Sequence, residues 1–391
     1  MTSVVPEHIY KLQPYLPGKP AEQVERETGV PRAIKLASNE NPFGPSPRVQ
    51  EAVAAAIGQL HRYPDVHVQA LRDRLATKWG VKPSMFVFGN GSNELIDVVL
   101  HTFATPGSGD QVIIGDPSYA YYQLRFTVAN VDTVLVPLRQ NLYWSCDDLL
   151  AAITPKTRLM MLANPNNPTG AHLSGSEVLR LVRSVPESVT LVMDEAYIEY
   201  CDQHCPTAIP LLAQRENMVV LRTFSKAYGL AGLGVGYAVT SPRLAQYMER
   251  VRRAFSVSTV AQAAAIAAVE DEAHLAEIVR INLAERSRVG EALRTMGYTV
   301  VPSQANFLLF GPIPERKVAK GRKPVAASHL VAALLQRGII IREMKAPISD
   351  YVRVSIGTPE ENTAFLDALT AIDREEAPSV ARPVPVQLAA P

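Results

Sequence analysis

Between residues 85 and 239, short apolar runs rich in β-branched residues alternate with amphipathic stretches. The runs fall at 85–88, 111–115, 133–136, 158–162, 189–193, 218–221 and 235–239, and helical periodicity occupies 93–103, 174–182 and 242–253. A chain that alternates in this way covers both faces of its strands by laying helices on each side of a mostly parallel sheet. The expected fold class is therefore α/β, with a mostly parallel seven-stranded sheet in a large domain at residues 46–275. In such sheets ligands gather beyond the carboxyl ends of the strands, and the chemistry-bearing residues below fall there.

A long helical stretch, 275–296, leads out of this unit. Strand-like segments at 307–310, 339–341 and 352–355 then suggest a smaller α+β domain, residues 276–373. The first 45 residues, dense in proline and polar groups, read as an arm joining that smaller domain. Residues 315–324 form a basic, Gly/Pro-punctuated insert expected to be a solvated loop. From 374 onward, Pro, Ala and Val without periodicity predict a tail with no packed structure. No internal repeat is found.

Composition excludes several function classes. The formal net charge is +1, so no global field draws the chain to nucleic acid or an anionic membrane; a small, locally charged ligand is expected. No apolar run approaches the roughly 18–20 residues that span a bilayer. Residues 1–10 lack the basic and then apolar pattern of a secretion signal, and 3 cysteines make no disulfide framework. A cytosolic protein is expected. Cys201, His204 and Cys205 lie close in sequence, but no second ligand pair stands at zinc-site spacing. That segment reads as a turn near buried thiols, and no metal is expected.

Three short motifs carry chemistry. In Thr223-Phe224-Ser225-Lys226 a strand ends, two hydroxyl residues follow, and a lysine precedes a Gly-rich turn. A lysine desolvated in such a place can form an imine with an aldehyde, while the hydroxyls can hydrogen-bond a phosphate. Alone, a Ser-Lys pair is more often a solvated surface. Upstream, Asp194-Glu195-Ala196-Tyr197 follows an apolar strand. An aspartate there can pair with a protonated pyridine nitrogen, with Tyr197 spaced to reach the ring's phenolate oxygen. Capping of the next helix would equally account for Asp194 alone. Further upstream, the Pro-rich turn from Asn164 to Gly170 holds the Asn167 amide where it could reach the same oxygen, though turn chemistry alone needs no function.

Taken in order, Asn167 to Gly170, Asp194 to Tyr197 and Thr223 to Lys226 resemble the fold-type I pyridoxal-phosphate-dependent aminotransferases, over residues 36–369. The resemblance implies Lys226 as the cofactor-binding lysine, with Asp194 and Tyr197 beside it as the catalytic group. It further implies Gly91, Ser92 and Asn93 at a helix start that cradles phosphate, and Tyr119 stacked on the pyridine ring. Tyr63 would reach across a homodimer interface to the neighbour's phosphate. Within the superfamily the chain is most similar to the histidinol-phosphate aminotransferases, through the segments 12–15, 36–42, 62–65 and 357–362. That likeness implies substrate contacts from Tyr15, Asn41, Arg342 and Arg353, with glutamate as donor and 2-oxoglutarate in the return half-reaction. Two arginines and a tyrosine suit a phosphate dianion or a carboxylate.

One position departs from the pattern. The family usually carries an arginine after Ala-Gly-Leu, and here the residue is Gly234. Either Thr223, Ser225, the 91–93 turn and Tyr63 hold the phosphate unaided, or another cation such as Arg222 stands in. The glycine also leaves open an aromatic or other amino-acid aminotransferase and a divergent decarboxylase or oxidase. A non-catalytic, cofactor-retaining binding domain is the reading from another class; no DNA-binding module is attached, which speaks against it.

Overall fold

The computed structural model describes residues 4–10, 12, 18–311 and 326–375. Its strands are β1 (Ile34–Lys35), β2 (Phe86–Asn90), β3 (Gln111–Asp116), β4 (Asp132–Pro137), β5 (Thr157–Ala163), β6 (Thr190–Asp194), β7 (Met218–Thr223), β8 (Val235–Thr240), β9 (Thr299–Val300), β10 (Phe307–Gly311), β11 (Ile339–Ile340), β12 (Arg342–Glu343) and β13 (Val352–Ser355). The larger sheet runs β2-β8-β7-β6-β5-β3-β4. Its pairings are parallel except at β8, which is antiparallel to both β2 and β7. The mostly parallel seven-stranded α/β sheet is thus the observed one. The first run starts one residue later than expected, because Pro83 opens a 3₁₀ turn through Met85.

Strand periodicity explains why both faces are covered. Successive side chains of a strand point to opposite faces. Leu191 and Met193 of β6 join one apolar cluster, whereas Val192 joins the other; Met218 and Val220 of β7 are likewise divided from Val219 and Leu221. The helix Gly175–Ser184 packs on the first face through Val178, Leu181 and Val182, and Gly91–Phe103 on the second through Leu95, Ile96 and Val99. The first of these helices starts at a reciprocal cap, in which Ser174 and Glu177 bind each other's backbone N–H.

A helix of 24 residues, Glu272–Thr295, leads to a four-stranded sheet of order β12-β13-β10-β9. A third cluster, including Leu293, Leu308, Phe310, Val352, Val354 and Phe365, fills the space under it. The arm is drawn to this part of the molecule by the pairing of β1 with β11, Ile34 opposite Ile339 and Lys35 opposite Ile340. Tyr15, the insert 315–324 and the tail beyond 375 lie outside the described residues. Among the described residues no helix is long and apolar enough to cross a membrane.

Candidate active site

Parallel strands deliver their carboxyl ends to one edge, and an antiparallel strand begins there. Asn90, Asp116, Ala163, Asp194 and Thr223 therefore end β2, β3, β5, β6 and β7 on the edge where Gly234 precedes β8. Lys226 follows β7 in a tight turn. Thr223 Oγ1 accepts the Ser225 N–H at 3.1 Å and lies 3.0 Å from Ser225 Oγ. Gly229 lets the turn pass the arm: its φ is 71°, and a Cβ there would stand 2.7 Å from the Gly44 carbonyl carbon. The Lys226 Nζ sits 5.5 Å from the centre of the Tyr197 ring.

Asp194 is buried at the end of β6. Its Oδ1 accepts the Ala196 N–H at 3.1 Å, the bond a cap would make, but its Oδ2 accepts the Tyr122 hydroxyl at 2.5 Å. Capping thus describes only half of the carboxylate. Burial pushes this carboxyl up to about 6, against the pull of the Tyr122 and Ala196 hydrogen bonds and of Lys226.

Beside it, the Tyr197 hydroxyl oxygen accepts the Asn39 amide at 3.1 Å and the Asn167 amide at 3.3 Å. The orientation of Asn167 has a cause. Arg353 Nη1 donates to Asn167 Oδ1 at 2.5 Å, and a guanidinium has no acceptor, so the amide must turn its N–H₂ toward Tyr197. With both lone pairs of the Tyr197 oxygen occupied, its own O–H is left as a donor into the site. Arg353 Nη2 also donates to the Ala37 carbonyl at 2.7 Å.

Across the edge, Gly91, Ser92 and Asn93 form the first turn of the helix Gly91–Phe103, whose opening N–H groups have no intrahelical acceptor. The helix start lies directly against β8: a Cβ on Gly236 would fall 2.6 Å from the Gly91 carbonyl carbon and 2.7 Å from the Ser92 nitrogen. Tyr119 precedes the helix Ala120–Val128, and its hydroxyl donates to Asn93 Oδ1 at 3.3 Å.

Other expected residues lie apart from this cluster or are held by the protein. Asn41 uses its amide as a bracket, donating to the Ala227 carbonyl at 2.9 Å and accepting the Phe43 N–H at 3.0 Å. Tyr63 is 83% exposed and stacks on Phe255 at 4.8 Å. Arg342 is the cross-strand partner of Arg353 in the antiparallel pair β12–β13. Arg222 does not stand in for the missing phosphate cation. Its alternation along β7 turns it to the opposite face from Thr223, where it bonds Glu195 at 2.8 Å, Glu199 at 3.0 Å and Thr207 at 2.9 Å and lies 4.5 Å over Trp79. Gly234 has a left-handed backbone, φ 61° and ψ 63°. A Cβ there would stand 2.1 Å from Asn90 Oδ1, so the Asn90 amide fills the space into which a side chain would project.

Asn39 and Tyr122 were not singled out from sequence. Asn39 lies two residues before Asn41, and its left-handed φ of 54° is the feature that turns it inward. Tyr122 sits one helical turn beyond Tyr119 on an apolar face, a spacing that reads as core packing. Among the described residues no cluster of His, Cys, Asp and Glu could hold a metal ion.

Residues 31–369 match the family model for aminotransferase class I and II. The histidinol-phosphate aminotransferase of Methylobacillus flagellatus is 41% identical over 371 residues, covering 94% of this chain and 96% of that protein. The histidinol-phosphate aminotransferase of Moorella thermoacetica is 38% identical over 369 residues, covering 94% and 92%. Among solved structures, histidinol-phosphate aminotransferase from Sinorhizobium meliloti, in complex with pyridoxal-5'-phosphate, superposes with a TM-score of 0.85 at 29% identity, covering 96% of this chain and 99% of that one.

Proposed function

The chain belongs to the class I and II aminotransferases, and on that footing we propose that it is a histidinol-phosphate transaminase, exchanging an amino group with the glutamate/2-oxoglutarate pair and using pyridoxal phosphate. The residues present fit this cofactor. Asp194 is a buried carboxylate pushed up by desolvation, with Lys226 lowering it from nearby; a protonated ring nitrogen is the kind of partner such a group lacks. At the other end, a helix start, two hydroxyl residues and a glycine that admits no Cβ make a cradle suited to a phosphate.

Bound pyridoxal phosphate supplies an aldehyde that captures an amine and a ring that takes up electron density from the substrate α-carbon. Lys226 would hold it covalently and would move the proton at the substrate α-carbon. Asp194 would keep a proton on the ring nitrogen. Tyr197 and Asn167 would donate to the phenolate oxygen, and Tyr119 would pack on the ring. Gly91, Ser92, Asn93, Thr223 and Ser225 hold the phosphate, with Tyr63 of a second copy in a homodimer. The exposure of Tyr63, together with that of Ile57, Leu60 and Phe255 nearby, supports an apolar surface covered by another chain.

The substrate reading rests on one observation: Arg342 and Arg353 stand directly opposite each other on neighbouring strands. Two guanidiniums on adjacent strand positions suit a doubly charged phosphate or the second carboxylate of glutamate, and Tyr15 and Asn41 belong to the same proposed group. Steady-state amino transfer from histidinol phosphate, phenylalanine and tyrosine to 2-oxoglutarate tests it. Histidinol phosphate should give the highest kcat/KM. A preference for either aromatic amino acid, or carbon dioxide release without amino transfer, would overturn this assignment.

A further inference from the structure

The helix that follows β3 carries two tyrosines one turn apart with different surroundings. Tyr119 lies at its start, partly exposed at the strand edge, whereas Tyr122 is fully buried. The Tyr122 ring is clamped edge-on against Tyr119 at 5.5 Å and lies parallel to Phe126 at 6.2 Å. A hydroxyl buried this deeply needs a partner, and it has one: Tyr122 Oη lies 2.5 Å from Asp194 Oδ2. Burial, followed by the charge of Asp194, pushes the Tyr122 phenol well above its ordinary range, so it keeps its proton and donates. The other Asp194 oxygen is taken by the Ala196 N–H. One bond from the strand end and one from a neighbouring helix together define the plane of the carboxylate.

We propose that Tyr122 is a positioning residue, which fixes the orientation and charge state in which Asp194 meets the ring nitrogen of the cofactor. The inference rests on the pyridoxal phosphate reading above and deepens it. A carboxylate that meets a ring nitrogen does so as an anion, while burial favours its neutral form. The groups bearing on its charge are few. The Tyr122 hydroxyl, the Ala196 N–H and Lys226, from the turn after β7, favour the anion; Glu195, next in the chain, opposes it. Tyr119 and Tyr197 also face Tyr122. Of these, Lys226 is committed to the cofactor when it binds and the Ala196 N–H belongs to the backbone, so Tyr122 is the side chain that remains.

Tyr122→Phe removes a single oxygen and keeps the ring, so the Tyr119 and Phe126 contacts survive. The sign of the effect is set by linkage. Asp194 must be ionised to receive a protonated ring nitrogen, so cofactor affinity falls as pH drops through the pKa of Asp194 in the cofactor-free protein, about 6. Without the Tyr122 donor that pKa rises, and the fall begins at a higher pH.

The experiment is a titration of full-length cofactor-free protein with pyridoxal phosphate, followed by fluorescence quenching between pH 5 and 9. Tyr122→Phe should raise the midpoint of the affinity loss by about one pH unit and weaken binding about tenfold near pH 6, with near-equal affinity at pH 9. Amino transfer should lose kcat while KM for the donor stays constant. In an Asp194→Asn background the Phe substitution should have almost no further effect. An unshifted midpoint in Tyr122→Phe, or the same loss with Asn at 194 as with Asp, would overturn the role of Tyr122. If wild-type protein shows no saturable binding of pyridoxal phosphate, the cofactor reading itself fails; if it binds and only the midpoint is unmoved, the cofactor reading stands.

Discussion

Lys226 reaches the site from a turn held by Thr223, Ser225 and Gly229, and among the described residues nothing accepts a hydrogen bond from its ammonium. Its side chain is therefore available for chemistry. Lys226→Ala should lower turnover by about a thousandfold or more, the scale on which a positioned acid–base group acts. Borohydride treatment should then leave no cofactor attached; retention of covalent cofactor would place the reactive lysine elsewhere. Gly234 needs a different comparison. A side chain at φ 61° is strained by about 1–2 kcal/mol, and it must also push the Asn90 amide aside. Restoring the arginine therefore carries a backbone cost that has nothing to do with phosphate. Gly234→Ala should destabilise the protein by about 1–2 kcal/mol, and Gly234→Arg should bind pyridoxal phosphate about tenfold tighter than the alanine variant, as a charge-assisted bond to phosphate would. Dissociation constants and melting curves for the three proteins check both statements.

At the scale of elements, β7 turns Thr223 to the face of the candidate site and Arg222 to the other. Behind Asp194 and Lys226, Arg222 is buried between Glu195 and Glu199. Burial alone would lower the Arg222 guanidinium, and the two carboxylates more than offset it; burial raises Glu199. Arg222→Met should cost about 3–5 kcal/mol, because it leaves two carboxylates buried without a cation. Burial already raises Glu199 and Arg222 lowers it, so in the variant its folded pKa would stand further above its unfolded one. The penalty is complete above the folded value and disappears below the unfolded one, so the deficit should shrink as pH falls from 8 toward 5 in urea denaturation. A deficit independent of pH would assign the loss to packing. The seven strands were legible because each is a short apolar run between helical stretches, a local pattern. Lys226, Asp194 and Asn167 could be picked out as candidates because each stands at or just after a strand end. Asn39 depends on a left-handed backbone and on Ser355 and Asn306, residues more than 250 positions away, that hold it. No local pattern encodes such a contact. Whether Arg222 stands in for the missing cation was left open by the sequence, because its position beside Thr223 says nothing of the face it takes until the strand is in register.

For the whole molecule, the proposed dimer turns on a small exposed surface. Leu60 is 60% exposed and Tyr63 83%. Leu60→Asp should give a monomer in sedimentation and weaken pyridoxal phosphate binding, since each site would lose the partner's tyrosine. Tyr63→Phe should leave the dimer intact and weaken the cofactor about tenfold, the loss of one bond to a charged group. A fully active monomer would contradict the shared site.

The arginines at 342 and 353 have a consequence for how this protein could be interrogated. Their pairing across β12 and β13 puts both guanidiniums of the proposed substrate site on the smaller sheet. An anion that these arginines bind only in the folded protein stabilises the fold, so ligand recognition and resistance to heat become one measurement. Inorganic phosphate and small phosphate monoesters should raise the melting temperature of cofactor-free protein, and Arg342→Gln should abolish the rise. The physiological acceptor could then be sought by ranking phosphorylated and dicarboxylic metabolites by thermal shift, with neither turnover nor a coupled assay required.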